Sequence, residues 1–461
     1  MAVSRADADQ TLVENCVQWA RHRIDGQVFR PGMRLPSIRS LARQRRVSPF
    51  TIVEAYDRLV ASGYLEARRG SGFYVRQRPH ASKLAVQPQR PTIDLNWLTH
   101  HMLGSATARG PGIGVLPSTW LDGAQVGSAL RSLGRQGVGR WLDAGTPHGF
   151  EPLRAVLQQR LAQLNIVIHP EQIVLTTGIT HALNVVLRTL VEPGATVLTL
   201  DPCWFGAHGV LAAHGARVLG IPCTPQGPDL ACMERLIREE HPKLLILSSA
   251  AHNPTGLSLS PQCSARIVEI AARFDLPIFE DDAYADLCAS PVPRLAAADG
   301  LRHVIHAGSF SKTLASNIRV GFIACSARLA RAFADTKILT GFATPELNER
   351  LVHKLLVESH YDRHVARLRD RLQEYREAAR KTFRAAGIEV FGDPADGMFL
   401  WVNVRTDTNE LAAAWRQRGL LLAPGSLFSP QQTPSAWMRF NVTTLRDDPV
   451  KELLRTLRRL R

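Results

Sequence analysis

His303-Val304-Ile305-His306-Ala307-Gly308-Ser309-Phe310-Ser311-Lys312-Thr313 passes from a short apolar run, His303–Ala307, into a small polar turn that carries one lysine. A run of this length bounded by turn residues reads as a buried strand. Similar runs recur at Ile173–Leu175, Val197–Leu200, Leu244–Leu247 and Pro277–Glu280, with amphipathic helical stretches between them, one of them reaching Leu187. Strands alternating with helices predict an α/β fold around a mainly parallel sheet. From about residue 345 the pattern is mostly helical and then mixed, as in a smaller second lobe.

A lysine just past a buried strand admits three readings. It could be a surface charge, a position the preceding strand argues against. Ser309 and Lys312 also match the Ser-x-x-Lys spacing of an acyl-enzyme, but Ser-Asp-Asn and Lys-Thr-Gly companions are absent. The third reading is a Schiff-base lysine, and here companions exist. A pyridoxal-phosphate site needs an acid opposite the ring nitrogen to maintain the electron sink, and the strand end Glu280-Asp281-Asp282-Ala283-Tyr284 offers one. Asn253, in His252-Asn253-Pro254-Thr255-Gly256, and the Tyr284 phenol offer partners for the ring oxygen. The backbone of Gly178, Ile179 and Thr180 opens a helix, where free N–H groups favour phosphate. Ser309, Ser311 and Arg319 could complete that cradle, and Trp204 offers an aromatic face. Arg439, in Trp437-Met438-Arg439-Phe440-Asn441-Val442, has the fork geometry that suits a carboxylate.

Charge is unevenly spread along the 461 residues. Residues 1–92 hold sixteen Lys and Arg against seven Asp and Glu, a net +9 of the total +15. A small basic head on a larger body is the electrostatic footprint of a polyanion binder, although a solvated arginine-rich surface would look the same. Seven scattered cysteines without a C-x-x-C pair predict reduced thiols and a cytoplasmic protein. The start MAVSRADADQ lacks the apolar stretch of a signal peptide, no apolar run is long enough to span a membrane, and the sixteen histidines form no metal-ligand pattern.

Within the head, Val13, Val17, Ala20 and Ile24 recur with helical spacing. Ser37 can cap a second helix with Ile38, Leu41 and Ala42 inward and Arg39 and Arg43 outward. Ser48-Pro49 can cap a third, which carries Ile52, Tyr56, Leu59 and Val60 on one face and ends at Gly63. Tyr64-Leu65 and Phe73-Tyr74-Val75 flank the basic turn Arg68-Arg69-Gly70-Ser71-Gly72. Three helices and a basic-tipped hairpin make a winged helix-turn-helix. Residues 79–92 hold three prolines and little periodicity, which predicts a semi-rigid linker between a head at 1–78 and a body at 93–461.

The stretch PGMRLPSIRSLARQRRVSPFTIVEAYDRLVASGYLEARRGSGFYV resembles the GntR family of winged helix-turn-helix regulators. That resemblance implies a recognition helix that begins near Ser48 and enters the major groove of duplex promoter DNA. Arg39, Ser48, Thr51, Arg69 and Gly70 stand at the contact positions. Pro49 and Val53 replace the basic or polar residues usual in the family; Arg43, Arg45 and Arg46 could supply phosphate contacts.

HNPTG, EDDAY and SFSKT, in that order, resemble the fold-type I aminotransferases of class I/II over roughly residues 110–461. The likeness implies pyridoxal 5'-phosphate as cofactor. By position, Lys312 forms the internal aldimine and moves the alpha proton, and Asp281 pairs with the ring nitrogen. Asn253 and Tyr284 hold the ring oxygen, and Trp204 stacks on the ring. Gly178, Ile179, Thr180, Ser309, Ser311 and Arg319 hold phosphate, and Arg439 binds a substrate carboxylate. The sequence departs from the family at Ile179, at Trp141, where a tyrosine reaching the partner's phosphate is common, and in Asp94–Gly104, which does not read as a substrate gate. A GntR-like head on an aminotransferase-like body is the arrangement of MocR-type regulators. It implies a homodimer that binds promoter DNA and senses an amino compound, or the cofactor itself. Two alternatives remain: a working aminotransferase that carries a DNA-tethering head, and a head turned into a dimerisation module.

Overall fold

The computed structural model describes residues 11–26, 28–68, 70–76, 109–135, 142, 144–358 and 360–459. Internal contacts divide the chain into two units, Met1–Pro91 and Thr92–Arg461. The expected linker, the segment Asp94–Gly104, Arg69 and Trp141 lie outside the described residues.

In the first unit, α1 (Leu12–Asp25), α2 (Ile38–Arg45) and α3 (Pro49–Ala61) precede a hairpin of β1 (Leu65–Arg68) and β2 (Gly72–Val75). Each helix begins on a hydroxyl cap: Thr11 accepts from Glu14 N, Ser37 from Ser40 N, and Ser48 from Thr51 N. These caps satisfy N–H groups that a helix cannot satisfy itself. Pro49 occupies the first turn of α3, where its missing N–H costs nothing. Arg46 turns left-handed at φ 56° and ends α2, so α3 can start three residues later. Val17, Ala20, Leu41, Ile52, Tyr56, Leu59, Leu65 and Val75 form the core. Each large apolar side chain buried there contributes about 1.5–3 kcal/mol. Tyr56 can be buried because its hydroxyl donates to Pro36 O at 2.8 Å.

The second unit contains an eight-stranded sheet in the order β3-β10-β9-β8-β7-β4-β5-β6. These strands are β3 (Ile173–Thr176), β4 (Thr196–Asp201), β5 (Arg217–Thr224), β6 (Gly227–Pro228), β7 (Leu244–Leu247), β8 (Ile278–Asp281), β9 (Val304–Ser309) and β10 (Gly321–Ala324). Neighbours from β5 through β4, β7 and β8 to β9 are parallel. β10 runs antiparallel between β3 and β9, and β6 antiparallel to β5. Strands buried on both faces read as continuous apolar runs, as β7 (LLIL) does. A second, antiparallel sheet in the order β11-β12-β14-β13 comprises β11 (Glu389–Val390), β12 (Phe399–Asn403), β13 (Ala423–Pro424) and β14 (Trp437–Asn441). The helix His360–Ala386 leads into it. No helix among the described residues is long and apolar enough to cross a membrane, and all seven cysteines are free.

Candidate functional site

The carboxyl ends of the parallel strands share one edge of the large sheet, the place where α/β folds bind ligands. Gly178 follows β3, Trp204 follows β4, Asn253 follows β7, Asp281 closes β8, and Lys312 lies three residues past β9. The antiparallel β10 delivers Arg319 to the same edge, because Gly321 pairs with both Thr176 and Ser309. That junction is tight: a Cβ on Gly321 would lie 2.7 Å from Gly178 Cα.

Asp281 is buried, and its Oδ1 accepts from Ala283 N at 3.0 Å. Burial pushes the carboxyl up to about 6; Asp282 adds to the rise, while Lys312 and His306 oppose it. No ion pair holds this carboxylate among the described residues. Beneath it lies a buried charge network. Glu280 accepts from Ser249 Oγ (2.6 Å), from the N–H groups of Leu295 and Ala296, and contacts His306 Nδ1 at 3.0 Å. Asp282 pairs with Arg294 at 2.8 Å. Burial opposes the His306 charge, but Glu280 and Asp282 outweigh it and raise the imidazole's affinity for a proton. This network fixes the end of β8 from behind.

The Lys312 ammonium donates to Gly114 O at 2.8 Å and sits 5.1 Å from the centroid of the Tyr284 ring. The turn after it is held by Thr313, whose hydroxyl meets the Tyr361 hydroxyl at 2.8 Å and whose carbonyl meets His364 Nε2 at 2.8 Å. Asn253 Nδ2 donates to the Tyr284 hydroxyl at 3.4 Å, and Asn253 Oδ1 accepts from Arg439 Nη1 at 3.0 Å.

Arg439, on β14, is 1% exposed. Its Nη2 donates to Gly112 O at 2.7 Å, and its guanidinium lies 4.4 Å from the Phe399 ring centroid. Its Nε has no partner among the described residues, and no carboxylate pairs with it there. Burial lowers it to about 10. A buried cation with neutral partners is costly, and a carboxylate would relieve that cost.

At the start of the helix Ile179–Leu190, Gly178 adopts φ 93°, and a Cβ there would lie 2.8 Å from Arg319 Nη2. Arg319 donates to Ser311 Oγ at 3.2 Å and to Thr177 O at 2.6 Å, and Ser309 Oγ donates to Ser311 Oγ at 3.2 Å. Ile179 is buried and Thr180 exposed. Their N–H groups belong to the first turn, which has no intrahelical acceptor. Trp204 stands at the N-cap of Phe205–His214 with its indole over Gly206, beside Cys203. Burial, then the Asp281 charge, pushes the Cys203 thiol up to about 12.

Sequence reasoning missed the segment Gly110–Val115. Gly112 and Gly114 supply the carbonyls that hold Arg439 and Lys312, and Asn441 Nδ2 ties down Ile113 O and Val115 O at 2.9 and 3.1 Å. A Cβ on Gly112 would meet Leu422 C at 2.5 Å, so this strap passes where only glycine fits. The repeated glycines of Gly110-Pro111-Gly112-Ile113-Gly114 were its signal.

In the head, Arg39 is exposed, and the Ser48 and Thr51 hydroxyls engage each other at 2.8 Å. Gly70 adopts φ 75° at the hairpin turn with open space around it.

A winged helix-turn-helix head joined to a body with a lysine, an acid and an arginine at one sheet edge defines a two-part class, nucleic-acid reader plus amino-group chemistry. Residues 128–457 match the family described as Aminotransferase class I and II, and residues 13–75 match Bacterial regulatory proteins, gntR family. The uncharacterized HTH-type transcriptional regulator YdcR of Escherichia coli (strain K12) is 29% identical over 91% of this chain and 92% of its own. A 2-aminoadipate transaminase of Thermus thermophilus is 30% identical over 68% of this chain and 79% of its own. The solved structure of LysN, an alpha-aminoadipate aminotransferase of Thermus thermophilus complexed with N-(5'-phosphopyridoxyl)-L-leucine, superimposes with a TM-score of 0.71. It is 26% identical and covers 78% of this chain and 93% of that one. The chain belongs to the class I and II aminotransferase family, on the fold-type I scaffold, and carries a GntR-type head in the MocR-type arrangement.

Proposed function

We propose that the protein is a pyridoxal 5'-phosphate-dependent transcription regulator. Residues 1–78 would bind promoter DNA, 79–92 would link, and 93–461 would sense an amino compound or the cofactor itself. The observation that carries this reading is that Lys312 and Arg439 are both held by one glycine strap, Gly112–Gly114, which follows the linker in the chain.

The donor set fits the cofactor. Among the described residues, Asp281 is a buried acid with no ion-pair partner, Gly178 opens a helix beside Arg319 and Ser311, and Arg439 is a buried cation with no carboxylate partner. When bound, the group supplies an aldehyde that condenses with amines and a ring that withdraws electrons. Asp281 would hold the proton on the ring nitrogen. Tyr284 and Asn253 would orient the ring oxygen, and Trp204 would cover a ring face. The N–H groups of Gly178, Ile179 and Thr180, with Ser309, Ser311 and Arg319, would bind phosphate. Lys312 would offer its amine and move a proton at the ligand's alpha carbon; Arg439 would bind a ligand carboxylate. Each of those last two engagements would compete with a hydrogen bond to the strap, at Gly114 O or at Gly112 O. Ligands would thereby bias two states of the strap by their differential affinity, and the linker would carry the difference to the head.

A homodimer is part of this reading. Leu339 and Phe342 are 87% and 78% exposed at the end of the helix Ala327–Gly341, an apolar surface that a second copy would cover. One observation favours a second reading, turnover as an aminotransferase: the set Lys312, Asp281, Tyr284, Asn253 and Arg439 is complete. Ketoacid-dependent turnover at ~1–1000 per second with no effect of amines on DNA affinity would select it.

Two expected results test the parts separately. Replacing Arg39 and Arg69 together by Ala should weaken binding to duplex DNA and flatten the logarithmic salt dependence by roughly 2. The cofactor spectrum should stay as it was. Full-strength binding by that variant contradicts the contact face. The second result concerns Asp281→Asn. Because burial raises the Asp281 carboxyl to about 6, the folded cofactor-free protein holds this proton more tightly than the unfolded chain. Its stabilising effect is complete below about pH 4 and is lost as pH rises through about 6. Asp281→Asn should therefore stabilise the cofactor-free protein at neutral pH by up to about 3 kcal/mol, and the gap should close in acid. Urea unfolding across pH measures it, and parallel profiles would contradict the buried, unpaired acid.

A further inference from the structure

Phe50 is 76% exposed in the first turn of α3. Ile52, Ala55, Tyr56 and Leu59 form the buried side of that helix. At 100° per residue, Phe50 falls on the opposite side with Val53, Glu54 and Asp57. In a helix-turn-helix the amino-terminal residues of the second helix face base edges in the major groove. In the first two turns the hydrogen-bonding groups are committed or absent, and the exposed Asp57 carboxylate lies further along the helix. Pro49, Phe50 and Val53 carry none, the Thr51 hydroxyl engages Ser48 at 2.8 Å, and Glu54 accepts from Arg58 at 2.6 Å. The base-edge feature that an apolar side chain reads in the major groove is the 5-methyl of thymine. Exposed arginines 39, 43, 45 and 46 lie on α2 and at its carboxyl end, just before this helix in the chain, and suit a phosphate backbone.

We propose that Phe50, with Val53 behind it, is the specificity-determining surface of the head and packs on thymine methyl groups in the major groove. This rests on the DNA-binding reading above. Recognition would come from burial of methyl area, while the arginines supply sequence-independent affinity. Burying one methyl is worth roughly fourfold in affinity.

The test uses the full-length protein and the duplex it enriches from a random-sequence library. Each thymine of that duplex is replaced in turn by deoxyuridine, which lacks only the methyl, and affinity is read by fluorescence anisotropy. The wild type should lose roughly fourfold at one or two thymines in each half-site. Phe50→Ala should bind the parent duplex more weakly, be indifferent to deoxyuridine at those positions, and keep the wild-type salt dependence, because Phe50 touches no phosphate. Phe50→Leu, still apolar, should keep part of the discrimination. Indifference of the wild type to every replacement, or unchanged penalties in Phe50→Ala, overturns the proposal. Failure to enrich any duplex instead removes the DNA-binding reading on which it stands.

Discussion

Replacing Lys312 by Ala abolishes the visible absorbance band that the bound cofactor gives and lowers cofactor retention at least about tenfold. Lys312 supplies an amine at the sheet edge beside Tyr284, with its Nζ 5.1 Å from the Tyr284 ring centroid. The remaining proposed partners, the Gly178 turn, Ser311, Arg319 and Asp281, would be non-covalent, so some phosphate-dependent binding should survive without the band. Lys312→Arg separates charge from nucleophilicity: it keeps a cation near Gly114 O and should also fail to give the band. Neither change should unfold the protein. The hydrogen bond to Gly114 O is worth about 1 kcal/mol net, a small part of the stability of such a domain. Absorbance and dialysis-resistant cofactor measure the result; an unchanged spectrum would remove the cofactor from the account.

Replacing Arg439 by Met gives the second large effect, on ligand choice. Amines that carry a carboxylate should bind the cofactor-loaded protein roughly 100-fold more weakly or worse, since losing one partner of a buried charge pair costs about 2–5 kcal/mol. Amines without a carboxylate should be little affected. The stability of the free protein should move by less than about 2 kcal/mol, because two effects oppose. Removing a buried cation that has no carboxylate partner among the described residues relieves desolvation. Leaving Asn253 Oδ1 and Gly112 O without their donor costs about 1–3 kcal/mol each. Spectral titration with both ligand classes, beside urea unfolding, checks it. Equal loss for both classes would mean that Arg439 supports the fold of the site and does not select the ligand.

Much of this was legible before the structure because local chemistry and tertiary role coincide. The caps Ser37 and Ser48, the apolar face of α3 and the strands β7 and β8 are each specified by neighbouring residues and survive in place. Asp281, Asn253, Tyr284 and Lys312 carry polar groups at the ends of apolar runs, a pattern that marks the carboxyl edge of a sheet. β10 was not foreseen. Its antiparallel insertion between β3 and β9 is a matter of long-range pairing, which no local pattern reports. The strap was missed for a different reason. Gly112 and Gly114 act through backbone carbonyls, which every residue has; only the close packing of Gly112 on Leu421 and Leu422, and of Gly114 on the Arg439 guanidinium, explains the glycines. Likewise, the sequence of α3 shows only that Pro49 and Val53 replace the usual basic or polar residues, whereas the structure shows an aromatic standing free beside them.

One measurement tests the central claim: the affinity of the full-length protein for its enriched duplex, with cofactor, with cofactor plus an amino compound, and with neither, in the wild type and in Lys312→Ala. Coupling of the usual size, about 1–3 kcal/mol, predicts a roughly 5- to 150-fold change between ligand states in the wild type and none in the variant. An affinity that is the same in every state, while ketoacid-dependent turnover proceeds, would contradict a regulator and leave an enzyme tethered to DNA.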